Sequence, residues 1–218
     1  GNGCSPSGHD GSMSTIVFVH AHPDDEASQT AGSMARAADE GHRVVLVYAT
    51  NGDHGEAPDD LADGESVVDR RRIEAQNSAD VLGVAAVHWL GYRDSGMTGW
   101  EQNNHPGALH IADPDEVAKR LVSILDAESA DVVVGYDWHG GYGHPDHIAV
   151  HHAVHRAAGL AARGPRVLEV TMNRDLMRRL FAMAAAAGMD MGDWDPDAPA
   201  DDGNPVGTLE EESQLEVD

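Results

Sequence analysis

A chain of 218 residues is long enough to bury one substantial core, and no shift in composition asks for a second domain. Its 38 acidic residues against 14 basic ones give a formal charge of −24, a surface that repels phosphate backbones and anionic lipid, so neither nucleic acid nor a membrane is expected as partner. There is no run of eighteen apolar residues and no signal segment of basic then apolar residues, and a cytoplasmic location is expected.

In chain order, residues 1–12 are rich in Gly and Ser and read as a vector-derived or disordered leader; they hold Cys4, the single cysteine, which has no partner for an internal disulfide. Ile16-Val17-Phe18-Val19 is a buried-strand pattern that leads straight into His22-Pro23-Asp24-Asp25-Glu26. Ala27 to Glu40 has no proline and stops at Gly41, as a crossover helix does, and Val44 to Tyr48 is a second strand. Strand, helix, strand at this spacing implies parallel pairing.

A polar loop follows over 50–65, then a helix over 66–82 closed by Gly83, and a third strand over 84–90. Residues 91–112 are irregular. Asp113-Pro114 opens a helix to about Ala127 whose Val117, Leu121, Ile124 and Leu125 share a face. Val132 to Tyr136 is a fourth strand, and through Gly140-Gly141-Tyr142-Gly143 it delivers His144-Pro145-Asp146-His147 at the head of a helix to about Ala162. A short strand over 166–171 and a helix over 173–187 complete the expected domain, 13–187. From Asp190 onward eleven acidic residues meet no basic one, so 188–218 reads as an acidic tail, flexible or only partly docked.

Two strand ends each carry His and Asp, and such ends are where open α/β sheets hold their ligands. A hydrolytic zinc site takes about three protein ligands, His nitrogens mixed with a carboxylate, and leaves one position for water. His22, Asp25 and His147 supply that set. Asp24 is then free to serve as general base toward the water that such a metal activates. His144 is within reach of the same place, either as a further ligand or facing substrate; it is assigned to oxyanion stabilisation or to protonating the leaving amine. Asp146 is expected to orient a neighbouring histidine. His42, His54, His88, His105 and His110 read as loop or surface residues, and His151, His152 and His155 as a helix face. Glu26 reads as a first-turn acid that favours the helix N-terminus. A dinucleotide-binding oxidoreductase is disfavoured, since no G-x-G-x-x-G follows the first strand and an acidic cluster there repels pyrophosphate.

The pairing of Ala21-His22-Pro23-Asp24-Asp25-Glu26 with His144-Pro145-Asp146-His147 resembles the LmbE-like (PIG-L) family of zinc-dependent N-deacetylases, from about Met13 to Leu168. Arg71-Arg72-Ile73-Glu74, Arg93-Asp94-Ser95-Gly96-Met97 and Gly141-Tyr142-Gly143-His144 are similar to its mycothiol-pathway members. The resemblance implies a Rossmann-like three-layer α/β/α fold with a mostly parallel sheet, and zinc, with Fe2+ as the other metal the ligands suit, on His22, Asp25 and His147. It further implies Arg71 and Asp94 as ligands of sugar hydroxyls and Tyr142 as a mobile contact of the carbonyl oxygen. The expected function is removal of an N-acetyl group from an amino sugar such as an N-acetylglucosaminyl conjugate. An amidase cleaving a mycothiol-type conjugate and a non-catalytic metal- or sugar-binding module are the alternatives. The expected partner is a small N-acylated amino sugar or related amide, and a homo-oligomer is compatible with the sequence.

Overall fold

A computed structural model describes residues 13–55, 58–189, 195–200 and 203–209. Five strands form one sheet: β1 (Thr15–His20), β2 (Arg43–Thr50), β3 (Ala86–Tyr92), β4 (Val132–Tyr136) and β5 (Arg166–Val170). They lie in the order β3-β2-β1-β4-β5, and all four pairings are parallel. The helices are α1 (Asp25–Gln29), α2 (Ala31–Asp39), α3 (Val67–Val81), α4 (Pro114–Ala127), the single turn α5 (Gly140–Gly143), α6 (Pro145–Leu160) and α7 (Arg174–Ala186).

The near-continuous apolar strands are explained by burial on both faces. Val17, Val19, Val45, Val47 and Val133 pack with Val117, Leu121 and Leu125 of α4 and Val150, Val154 and Ala157 of α6. Their neighbours Phe18, Leu46, Tyr48 and Val134 point to the opposite face and pack with Met34 and Ala37 of α2 and Ala75 of α3. The period-two alternation of a strand thus feeds two cores, and the result is the three-layer Rossmann-like architecture. Chain order reverses between β1 and β4, so the crevice beyond their carboxyl ends is the topological switch point of the sheet. Both histidine motifs follow these two strands.

The crossover after β1 differs from the single helix expected over 27–40. It starts at Asp25 and breaks at Thr30 (φ −130°, ψ 0°), because the Thr30 hydroxyl is engaged by His20 Nε2 at 2.8 Å across the core. Strand β3 begins two residues later than expected, since the Val84 N–H still closes the end of α3 on the Ala79 carbonyl at 2.9 Å. Helix α3 itself is set by a capping box, in which Ser66 and Asp69 satisfy each other's backbone N–H. Within the expected acidic tail, the Thr208 N–H donates to the Met172 carbonyl, and Asp197 pairs with Arg174 and Arg178 of α7. Among the described residues no helix is long and apolar enough to cross a membrane.

Candidate active site

Strand β1 ends at His20 and the chain turns sharply through Asp24, which has φ 103° and ψ −25°. A non-glycine residue in that region costs about 1–3 kcal/mol and persists only where its surroundings hold it. Here Glu26, buried, supplies the hold: its Oε2 accepts from the Asp24 N–H at 3.1 Å, while its Oε1 accepts from the Ser78 hydroxyl at 2.7 Å. Glu26 is therefore more than a first-turn acid. It anchors the bend that turns Asp24 outward and Asp25 inward.

Asp25 Oδ2 is the hub of the site. It accepts from the His22 N–H at 2.9 Å and from the Tyr136 hydroxyl at 2.7 Å, and it lies 3.3 Å from both His22 Nδ1 and His147 Nε2. Burial pushes the Asp25 carboxyl up, but the imidazoles of His147 and His22 beside it outweigh this and hold it well below the usual carboxylate range. On its other side His22 Nε2 faces Asp146 Oδ2 at 3.2 Å and Asp94 Oδ1 at 3.5 Å. Burial lowers the His22 pKa, and the carboxylates of Asp146, Asp25 and Asp94 together raise it well above the ordinary value.

The second motif is shaped by the glycines before it. Gly140 has φ +63°, and a Cβ there would stand 2.7 Å from His147 Cβ and 2.8 Å from the Ile148 nitrogen, so only glycine lets α5 fold back on α6. That approach brings the Gly140 carbonyl within 3.0 Å of His147 Nδ1. If Nδ1 carries the proton, Nε2 is left as a bare lone pair, fully buried, with no hydrogen-bond partner and aimed at the Asp25 carboxylate. Two electron-rich atoms facing each other at 3.3 Å are mutually unfavourable unless a cation lies between them. His144 caps α6 with its ring: Nδ1 accepts from the Asp146 N–H at 3.1 Å, which leaves Nε2 as the protonated nitrogen of the neutral ring. Burial first, and then the charge of His22, lowers the His144 pKa to about 4.

The structure brings the expected residues together. Ligand nitrogens of His22, His144 and His147 lie within 4.8 Å of one another, so His144 stands as close to this point as the two histidines expected as ligands. Asp24 remains exposed and pairs with Arg71 Nη2 at 3.2 Å, so Arg71 touches the expected base directly. Crowding by the protein raises the Asp24 pKa, Arg71 opposes this, and Asp25 raises it further. Asp94 faces His22 and is held by the Gly96 N–H at 2.8 Å. Tyr142 is exposed and sets its ring edge-on to His147, with centroids 5.0 Å apart. The side chain of Asp146 orients His22, from the other motif, and its backbone N–H holds His144.

Two contributors escaped sequence reading. Tyr136, the last residue of β4, donates to Asp25 and stacks its ring on His147 at 4.1 Å. Ser95 donates from both N–H and hydroxyl to the two oxygens of Asp146. Tyr136 looked like any aromatic strand residue. Ser95 stood inside the Arg93-to-Met97 motif without a role.

The donor set fits a metal ion. Three buried carboxylates, Asp25, Asp94 and Asp146, lie within 3.5 Å of one imidazole and carry more negative charge than one imidazolium neutralises. A divalent cation beside His147 Nε2 would balance them. Nitrogen and carboxylate donors without nearby cysteine suit a borderline metal with an open position. His147 also has a carbonyl behind its outer nitrogen, the arrangement that orients metal-binding histidines.

Fold, switch-point crevice and buried His/Asp cluster define a Rossmann-like α/β protein with the donors to hold a metal ion at the ends of β1 and β4. Residues 17–158 match the family model described as PIG-L, GlcNAc-PI de-N-acetylase, and the chain belongs to that family. The sequence is 46% identical over 155 residues to 1D-myo-inositol 2-acetamido-2-deoxy-alpha-D-glucopyranoside deacetylase 2 of Saccharopolyspora erythraea, covering 67% of this chain and 57% of that one. It is 38% identical over 213 residues to the corresponding deacetylase of Kineococcus radiotolerans, covering 84% and 59%. The chain thus spans little more than half the length of these relatives. Among solved structures, N,N'-diacetylchitobiose deacetylase from Pyrococcus horikoshii superimposes with a TM-score of 0.59 at 23% identity, over 82% of this chain and 72% of that one, which establishes the shared fold.

Proposed function

We propose that this chain is a zinc-dependent N-deacetylase acting on an N-acetylglucosaminyl conjugate. The observation that carries the reading is the unpartnered, buried Nε2 of His147 facing Asp25 and neighboured by His22, with exposed Asp24 next in sequence. Relatives named as deacetylases of an acetamido-sugar inositol supply the substrate class. His22, Asp25 and His147 would hold the metal, Zn2+ with Fe2+ as the other ion the donors suit. When bound there it polarises the acyl carbonyl and lowers the pKa of the attacking water.

The chain's own groups do the rest. Asp24 takes the water's proton, and its raised pKa brings it closer to that task, while Arg71 keeps its carboxylate in place. His144, with Nδ1 occupied by the Asp146 N–H, offers its Nε2–H to the oxyanion that forms as the carbonyl is attacked, and the proton that Asp24 took from the water passes to the departing amine as the C–N bond breaks. Tyr142 contributes its hydroxyl as a second donor at the carbonyl oxygen from its exposed position. Asp146 and Ser95 keep His22 in orientation. A cleft of about 220 Å³ opens beside Asp24, lined by Arg71, Glu74 and Ser78 among others. Its lining mixes apolar surface with a few polar groups, and for sugar hydroxyls Arg71 and, on the other side of His22, Asp94 are the candidate partners.

The test is acetate release from N-acetylglucosaminyl conjugates, measured before and after chelation and in Asp24→Asn. Chelation is expected to abolish turnover and zinc to restore it. Asp24→Asn is expected to lose at least about 100-fold in kcat/KM while retaining its metal. Turnover indifferent to both would refute the reading.

A further inference from the structure

Away from the crevice, helix α6 and edge strand β5 assemble a second set of metal-ligating side chains. His151 and His155 stand one turn apart on α6, a spacing that puts both on one face, and their ring centroids are 4.6 Å apart. Glu169 of β5 meets them: its Oε1 lies 3.2 Å from His151 Nδ1 and 2.7 Å from His155 Nε2. One ligand atom from each of the three falls within 4.8 Å of the others. Ligand atoms bound about 2.0–2.2 Å from a tetrahedral ion are separated by roughly 3.3 Å, so modest side-chain movement would admit one.

We propose that His151, His155 and Glu169 form a second transition-metal site, at the protein surface, that clamps α6 to β5. Two imidazoles and one carboxylate are the donors of three-ligand zinc centres, with the outward side left to water. The nitrogen donors select Zn2+, Ni2+ or Cu2+ over Mg2+ and Ca2+, which require oxygen ligands. A single Glu169 oxygen faces both rings, so a cation placed among the three would meet all the donors at once. The competing contact is His151 Nδ1 with the Tyr136 carbonyl at 3.1 Å; the tautomer with its proton on Nε2 frees Nδ1 for a cation. A net charge of −24 raises the local concentration of cations. None of the three residues contributes to the constellation around Asp25.

The measurement is a count. Protein stripped with chelator and desalted is titrated with ZnCl2 by calorimetry, and bound zinc is quantified after gel filtration, for the parent, His155→Ala and Glu169→Gln. Each variant is expected to bind one equivalent fewer than the parent, or to weaken that equivalent at least tenfold. Because the readout is a difference, it is independent of how much zinc the crevice holds and of whether any amide is hydrolysed. Both substitutions are on the surface, and melting without metal is expected to be nearly unchanged, which separates lost ligation from lost folding. Cobalt(II) added to the parent is expected to give visible bands of tetrahedral intensity that fall in both variants. The same zinc count in parent and variants overturns the site, as does displacement of that equivalent by millimolar Mg2+.

Discussion

The Tyr136 hydroxyl donates to Asp25 Oδ2 at 2.7 Å and accepts from the Ala21 N–H at 2.9 Å, joining the end of β4 to the turn after β1. One phenol thereby ties together the two strands that flank the switch point. Tyr136→Phe keeps the ring stacked on His147 and removes only the hydroxyl. A fall of about 10- to 100-fold in zinc affinity is expected, the usual cost of losing a hydrogen bond that orients a ligand. Chelator competition measures it. Unchanged affinity would mean that Asp25 is held well enough by the His22 N–H alone.

Ser95 gives its hydroxyl to Asp146 Oδ1, and both residues are fully buried. Ser95→Ala leaves that oxygen without its donor in a dry interior. About 1–3 kcal/mol of stability should be lost. Urea unfolding checks it, and a loss below about 0.5 kcal/mol would show that water or a neighbour replaces the hydroxyl.

Gly140→Ala would force a side chain into a backbone conformation with φ +63° and into contact with His147 Cβ. The strain of about 1–3 kcal/mol adds to the clash. A melting temperature lower by at least about 4 °C is expected, along with weaker metal binding because His147 must shift. An unperturbed melt with full zinc occupancy would contradict the tight approach of α5 to α6.

A pH effect is expected far from the site. Glu128, at the end of α4, accepts from Arg43 Nη2 at 2.7 Å and pairs with His88 Nε2 at 2.9 Å. Burial raises its pKa, and the hydrogen bonds from His88 and Arg43 bring it below the ordinary glutamate value. A depressed carboxylate stabilises the fold above its unfolded pKa of about 4.3, and that contribution vanishes as pH falls through the folded value. Stability of the parent relative to Glu128→Gln should therefore be greatest above about pH 5 and shrink toward pH 3. Denaturant midpoints across this range test it, and a constant gap would assign the effect to packing.

The sequence by itself determined the layers of the fold and picked out most of the residues that gather at the candidate site. Apolar runs of strand length separated by helical patterns require a parallel sheet covered on both sides, and each histidine motif lies just beyond a strand end, so His22, Asp25 and His147 could be named as candidate ligands from position and residue type. These are local signals, carried by residues adjacent in the chain. What only the tertiary structure decided are relationships between distant residues: the order β3-β2-β1-β4-β5 that puts the two motifs side by side, Tyr136 reaching Asp25 across 111 positions, and Ser95 reaching Asp146 across 51. No periodicity marks such partners, because a buried hydroxyl aimed at a carboxylate has the same sequence signature as one aimed at its own backbone. The inward and outward division of Asp25 and Asp24 is of the same kind. It rests on a left-handed bend that Glu26 and Ser78 hold from two separate helices.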